Sequence, residues 1–148
     1  MLKKKLLGII GAISLFAMTG CASGPTFSEH AETMQPVSAE NGRIYIYRVA
    51  TLGAAVQPKV RLNDVEVGKA APKGFFYVDR PAGNYEVAAS TEAERNLSMT
   101  LEAGEEKYVR LEMKMGLFAG HVKPVLVDAE VGREEIQKTK YIGAVDGT

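Results

Sequence analysis

Reactive side chains are scarce in this sequence. Among 148 residues there is no tryptophan, a single cysteine, Cys21, and two histidines, His30 and His121. One cysteine cannot close an internal disulfide, so stability has to come from an ordinary apolar core even in an oxidising compartment. The two histidines lie far apart in sequence, and neither has a second His or Cys at metal-ligand spacing, which argues against a zinc site. Also lacking are a G-x-S-x-G elbow, a G-x-x-x-x-G-K-[ST] phosphate loop and an H-E-x-x-H helix. Glu105-Glu106 and Glu134-Glu135 are adjacent pairs that would point apart on a strand or helix, so neither offers a paired acid and base. The expectation is a protein with no cofactor, no metal and no catalytic residues. Excess charge is missing too: 18 Lys and Arg balance 18 Asp and Glu. Nucleic-acid binding, which shows as a clustered basic face, is not expected.

What is present begins at the first residues. MLKKK places three lysines before an uncharged run of 13 residues, Leu6 to Met18. A membrane-spanning helix needs about 20 apolar residues and a signal-peptide core roughly 7–15, so the run reads as an export signal. Three uses of Cys21 then compete: a core thiol, an intermolecular disulfide and lipid attachment. A core is not at hand between a signal-like run and a polar stretch. Met18-Thr19-Gly20-Cys21 resembles a bacterial lipobox, in which small residues admit a signal peptidase and the thiol takes up the lipid. Met18 stands where leucine is more usual, and its unbranched side chain fills a similar apolar subsite. Lipidation at Cys21 would anchor the protein to a membrane without spanning it. Ala22 follows where an aspartate would retain an enteric lipoprotein in the inner membrane, which by analogy points to the bacterial outer membrane and a periplasm-facing domain. The portion from Cys21 onward keeps 15 basic against 18 acidic residues, net −3.

The expected organisation is a signal over 1–20, a lipidated flexible tether over 21–42, a folded domain over 43–142 and a tail over 143–148. The tether has two prolines and no sustained period, and as a flexible coil would extend about 25 Å. From Arg43 the chain turns to short runs of Val, Ile, Tyr and Phe punctuated by Gly, Pro, Asn and Asp. Strands are expected at Arg43–Val49, Lys59–Asn63, Val65–Gly68, Gly74–Asp79, Asn84–Ser90, Asn96–Leu101, Lys107–Met113 and Val122–Val127. Tyr85, Val87 and Ala89 alternate with polar or small residues, as do Leu97, Met99 and Leu101, and Val109, Leu111 and Met113, so each strand should bury one face and wet the other. Ile44-Tyr45-Ile46-Tyr47 is apolar on both faces and should be central. Asn63-Asp64 suits a tight hairpin, and Pro81-Ala82-Gly83 a tight turn. A helix is expected only over about Ala129–Lys140, with Gly132 as a weak point. The fold class is mainly β: a single antiparallel β-sandwich of about seven or eight strands with a short C-terminal helix.

Two segments, Ala50–Pro58 (ATLGAAVQP) and Met115–Gly120 (MGLFAG), are uncharged and apolar where loops should be polar. They either close the open ends of the sandwich or form an apolar patch for a partner, with Leu52, Leu117 and Phe118 as anchors. His121, in a loop beside the second segment, could add to such a patch. Paired with a carboxylate such as Asp128, it would instead serve a small envelope enzyme.

Several motifs in order carry a family resemblance: Gly42-Arg43-Ile44-Tyr45-Ile46-Tyr47-Arg48, then VRLNDVEVG from Val60 to Gly68, then Gly74 to Val87 with its Pro-Ala-Gly-x-Tyr turn. Over roughly residues 42–142 they resemble the lipoprotein family built on domain of unknown function 2846. The middle portion is similar to PEGA-type surface modules, small sandwiches of transthyretin-like architecture, although P-A-G-N-Y stands here in place of P-E-G-A. The resemblance implies a β-sandwich lipoprotein with no assigned reaction. The expected function is therefore a lipid-anchored envelope module that binds or scaffolds another envelope protein without catalysis, or one that is purely structural.

Overall fold

A computed structural model describes residues 21–89, 95–117 and 120–145. All eight strands expected from alternation are present: β1 (Asn41–Tyr47), β2 (Lys59–Leu62), β3 (Val65–Lys69), β4 (Gly74–Pro81), β5 (Gly83–Ala89), β6 (Arg95–Leu101), β7 (Glu106–Met115) and β8 (Gly120–Val127). A two-residue β9 (Lys140–Tyr141) and two helices, α1 (Phe27–Ala31) and α2 (Ala129–Ile136), complete the described elements. The strands form two sheets, in the orders β8-β7-β1-β4-β9 and β3-β2-β5-β6. The fold is mainly β, a sandwich with one short C-terminal helix.

Turn chemistry fixes the local pairings. Asn63 and Asp64 take φ of 47° and 66°, the left-handed pair that joins β2 to β3 in a two-residue hairpin. Pro81-Gly83 turns a corner between sheets, since β4 and β5 belong to different ones. Two pairings are parallel, β1 with β7 and β4 with β9, so the larger sheet is mixed. Both join strands distant in sequence, where no turn dictates direction.

β1 sits at the centre of the larger sheet and is buried on both faces. Its Ile44 and Ile46 enter the core between the sheets with Val60, Leu62, Phe76, Val87, Leu101 and Val109. Tyr45 and Tyr47 point the other way, into a second cluster with Phe75, Tyr108 and Ile136. The outer face of this sheet is thus covered, and Tyr108 of β7 is buried where alternation alone led us to expect water. α2 supplies part of the cover through Ile136 and through Gly132, whose missing side chain lets the helix backbone rest on the Tyr108 ring. The helix ends at Ile136, four residues before the expected Lys140. Thr139 then donates its buried hydroxyl to the Ile136 carbonyl at 2.6 Å, and the chain extends to pair with β4.

The other part of the cover is the segment expected to be a flexible tether. That expectation is corrected by its contacts. Ala22 N–H donates to the Pro72 carbonyl (3.1 Å), and Pro25 accepts from Tyr141 N–H (2.8 Å). Thr26 caps α1 in a reciprocal pair with Glu29, whose carboxylate accepts from Thr26 N–H at 2.8 Å. Phe27 packs against Tyr45 and Phe75 at ring-centroid distances of 5.8 and 5.3 Å. Farther on, the Gln35 carbonyl accepts from Arg43, whose guanidinium also grips Asp79 through two bonds of 2.7 and 2.8 Å. The expected tail at 143–148 is likewise attached as far as it is described, since Val145 N–H donates to the Val67 carbonyl at 2.9 Å. Residues 1–20, where the signal was expected, lie outside the described residues.

His30 makes this docking sensitive to pH. Its ring stacks on Tyr141 with centroids 3.6 Å apart, and its buried Nε2 has no hydrogen-bond partner among the described residues. Burial, aided by the nearby charge of Arg43, lowers its pKa below the ordinary 6.5. In the window between that lowered value and 6.5 the unfolded chain binds more protons than the folded one, so the docked state loses stability as pH falls through it. Between pH 8 and pH 5, the protection factors of the α1 amides, taken against the base-catalysed intrinsic rate at each pH, should fall in the native protein, and His30→Gln should flatten that profile. An equally steep profile in the variant would assign the pH response to other groups.

Candidate functional site

Strand directions sort the loops between two ends of the sandwich. β1 and β7 run toward the end that carries segment 48–58, turn 70–73 and the β7–β8 connection, while β4 starts there opposite Tyr47. Cys21, exposed, also lies at this end, because Ala22 bonds to Pro72. Turn 63–64 and the β6–β7 connection at 102–105 lie at the other end.

Arg48 organises the first apolar segment. It continues the inward series of Ile44 and Ile46, so its side chain enters the mouth of the core and is fully buried. The guanidinium donates to four main-chain carbonyls: Val56, Ala70 and Leu52 at 2.7 Å and Gly53 at 3.0 Å. Burial lowers its pKa, but an arginine starts high enough to remain charged. Residues 50–58 wrap this cation with their carbonyls inward, which leaves Leu52 outside and 59% exposed. The segment thus closes the end of the sandwich, as one of the two expectations had it, and presents an apolar side chain while doing so.

The second segment forms the tip of the β7–β8 hairpin. Met115 is 63% and Leu117 96% exposed; Phe118 lies outside the described residues. Met113 joins the two segments. A Cβ on Gly53 would come within 2.9 Å of its methyl carbon, and one on Gly120 within 3.1 Å of its sulfur. The fold therefore gathers Leu52, Met113, Met115 and Leu117 at one end. His121 is corrected from loop to strand, in β8 opposite Lys114. Asp128 follows the far end of β8, seven residues along, about 23 Å away at strand spacing. The geometry does not unite them as an acid–base pair.

Beside this patch runs a groove of about 380 Å³ lined by Val49, Ala50, Arg110, Glu112, Met113 and Lys114. Glu135 of α2 accepts from the Tyr47 hydroxyl at 2.6 Å and from Arg110 at 2.8 Å. Arg110 also bonds Glu112 at 2.7 Å, and Lys114 reaches the other Glu112 oxygen at 2.9 Å. Burial first, then the Glu135 bond, push the Tyr47 hydroxyl upward, so it stays protonated. Bonds from Lys114 and then Arg110 pull Glu112 below the usual carboxylate range. These groups saturate one another, and the chain of charges fastens α2 to the sheet.

A model of a family described as a protein of unknown function, DUF2846, matches residues 38–124. The chain belongs to this family. An uncharacterized protein of Haemophilus influenzae is 31% identical over 135 residues, covering 88% of this chain and 79% of that one. The DUF2846 match runs from just before β1 into β8, and so includes Arg48, its loop and the apolar hairpin. The cover over Tyr45 and Tyr108, built by α1 and α2, lies outside the DUF2846 match. Sequence reasoning found the hairpin and loop but missed Arg48, Tyr47 and Glu135. The available signal for Arg48 was a charge at the inward position of an apolar strand, directly before an uncharged loop.

Proposed function

We propose that this protein is a lipid-anchored bacterial envelope lipoprotein, acylated at Cys21, that serves as a non-enzymatic binding or scaffolding module. The observation that carries the reading is the sequence Met18-Thr19-Gly20-Cys21 behind a lysine-led apolar run. Cys21 is exposed and, among the described residues, immediately precedes the first one hydrogen-bonded to the rest of the fold. A lipid there is sterically compatible with the fold. By the analogy of Ala22 after the cysteine, the outer membrane is the proposed address, with the domain facing the periplasm. The gathered Leu52, Met115 and Leu117 are the proposed binding surface. The test of the anchor is radiolabelled palmitate fed to a bacterium expressing the full chain. Label should enter the native protein and disappear in Cys21→Ala; undiminished labelling of the variant would refute lipidation at this position.

A further inference from the structure

We propose that the occupant of this apolar end is the lipid bilayer itself, so that the domain stands on the membrane on three loops. The inference rests on the reading of Cys21 as the lipidated residue, and it goes further by assigning the surface, the partner and the orientation.

The first ground is the attachment of the N-terminal segment. Because Ala22 is bonded to Pro72, only Cys21 itself separates the fold from an acyl group on its sulfur. One residue spans at most about 3.6 Å, so turn 70–73 must lie at headgroup level. The second ground is direction. Segment 48–58 and the hairpin tip project from this same end. In the larger sheet β8 lies three strand positions from β4, and the turn leading into β4 holds Cys21 through Pro72. At strand spacing that is about 14 Å. A surface that meets a plane at two places so far apart, with the Leu52 loop between them, has its tilt fixed.

Chemistry supplies the third ground. The tip offers Leu117 at 96% and Met115 at 63% exposure, with Leu52 at 59%. An aqueous protein surface gains nothing from such side chains, whereas the acyl boundary of a bilayer accepts them. Lysines accompany them: Lys69, Lys73 and Lys140 lie around the Cys21 side of the same end. Their ammonium groups can reach anionic headgroups while the stems follow the apolar zone. At the opposite end the turns carry Asp64 and Glu102, while Glu105 is paired with Lys107. The turns themselves thus differ in charge, with Lys73 toward Cys21 and Asp64 and Glu102 away from it.

The test places nitroxide labels on the acylated full chain through Leu52→Cys, Leu117→Cys and, at the opposite end, Ala103→Cys. All three positions are exposed, so the fold should tolerate them. Protein purified with its lipid is reconstituted into vesicles of phosphatidylethanolamine and phosphatidylglycerol, and palmitate incorporation is recorded for the same samples. Labels at 52 and 117 should show a ratio of oxygen to aqueous nickel-chelate accessibility several-fold above that at 103. If palmitate is present and both labels are as open to nickel as the one at 103, the orientation is wrong and the anchor stands. Labels at 52 and 117 shielded from oxygen as well as nickel would mean that protein, a second copy included, covers the end, and the proposal fails. No palmitate on the native chain would overturn the anchor and this inference together.

Discussion

Arg48→Ala is expected to remove about 3–5 kcal/mol of folding stability, because buried carbonyls lose their shared donor and a large buried side chain leaves a cavity. The guanidinium satisfies the carbonyls of Val56, Ala70, Leu52 and Gly53 together. Alanine leaves four acceptors facing a void, and an unsatisfied buried polar group costs about 1–3 kcal/mol. The costs do not add in full, because water can enter at an open end of a sandwich. Lysine at 48 keeps the charge but not the planar fork, and should recover only part of the loss. Urea denaturation checks the magnitude, and amide exchange across residues 50–58 checks the location. A loss below about 1 kcal/mol would mean that the carbonyls are already served by solvent. For the apolar surface the consequence is direct: Leu52 is presented by a loop whose shape is that of the cation inside it.

Gly132→Ala has an expected effect of opposite sign to the intrinsic one. In an exposed helix the change is favourable by about 1 kcal/mol. Here the added carbon would overlap the Tyr108 ring. That ring cannot retreat, since it is stacked on Tyr45 with centroids 4.9 Å apart. Overpacking of this kind costs about 1–3 kcal/mol, and larger residues should displace α2 altogether. Displacement separates Glu135 from Tyr47 and Arg110, so the amides of α2 should exchange faster in the variant while those of β2 and β5 keep their protection. A stabilised Gly132→Ala would show that the helix does not rest on the sheet in solution.

The same glycine shows where the sequence was legible and where it was not. Strand alternation is a one-residue signal repeated many times, and it placed eight strands, with Asn63-Asp64 marking the hairpin between two of them. Gly132 weakened the expected helix because local propensity alone speaks against glycine; the tertiary contact with Tyr108 that favours it has no local trace. The covered outer face was hidden for a related reason. Tyr108, Arg110 and Glu112 read as a wet face, yet the first is buried beneath α2 and the other two share its ion pairs. α1 is too short for a period to emerge, and its capping pair, Thr26 and Glu29, goes unread in a segment that reads as a tether. The parallel pairing of β1 with β7 joins residues over sixty positions apart, beyond the range of any turn signal. At the candidate site, the two apolar segments were visible as segments, but their meeting across Met113 and their common end with Cys21 depend on strand direction.

The docked N-terminal segment also determines how the molecule would respond to a pull on its first residues. Force applied at Cys21 falls first on the Ala22–Pro72 bond, then on the Pro25–Tyr141 bond and the bridge between Thr26 and Lys140, and only afterwards on β1. These attachments load one after another, so they peel in sequence at low tension while the sheets remain whole. Residues 22–40 paid out in this way have a contour length of roughly 65 Å. The segment is a coiled reserve of chain, held shut by Phe27, His30 and Arg43, and at acidic pH the His30 catch would release at a smaller load.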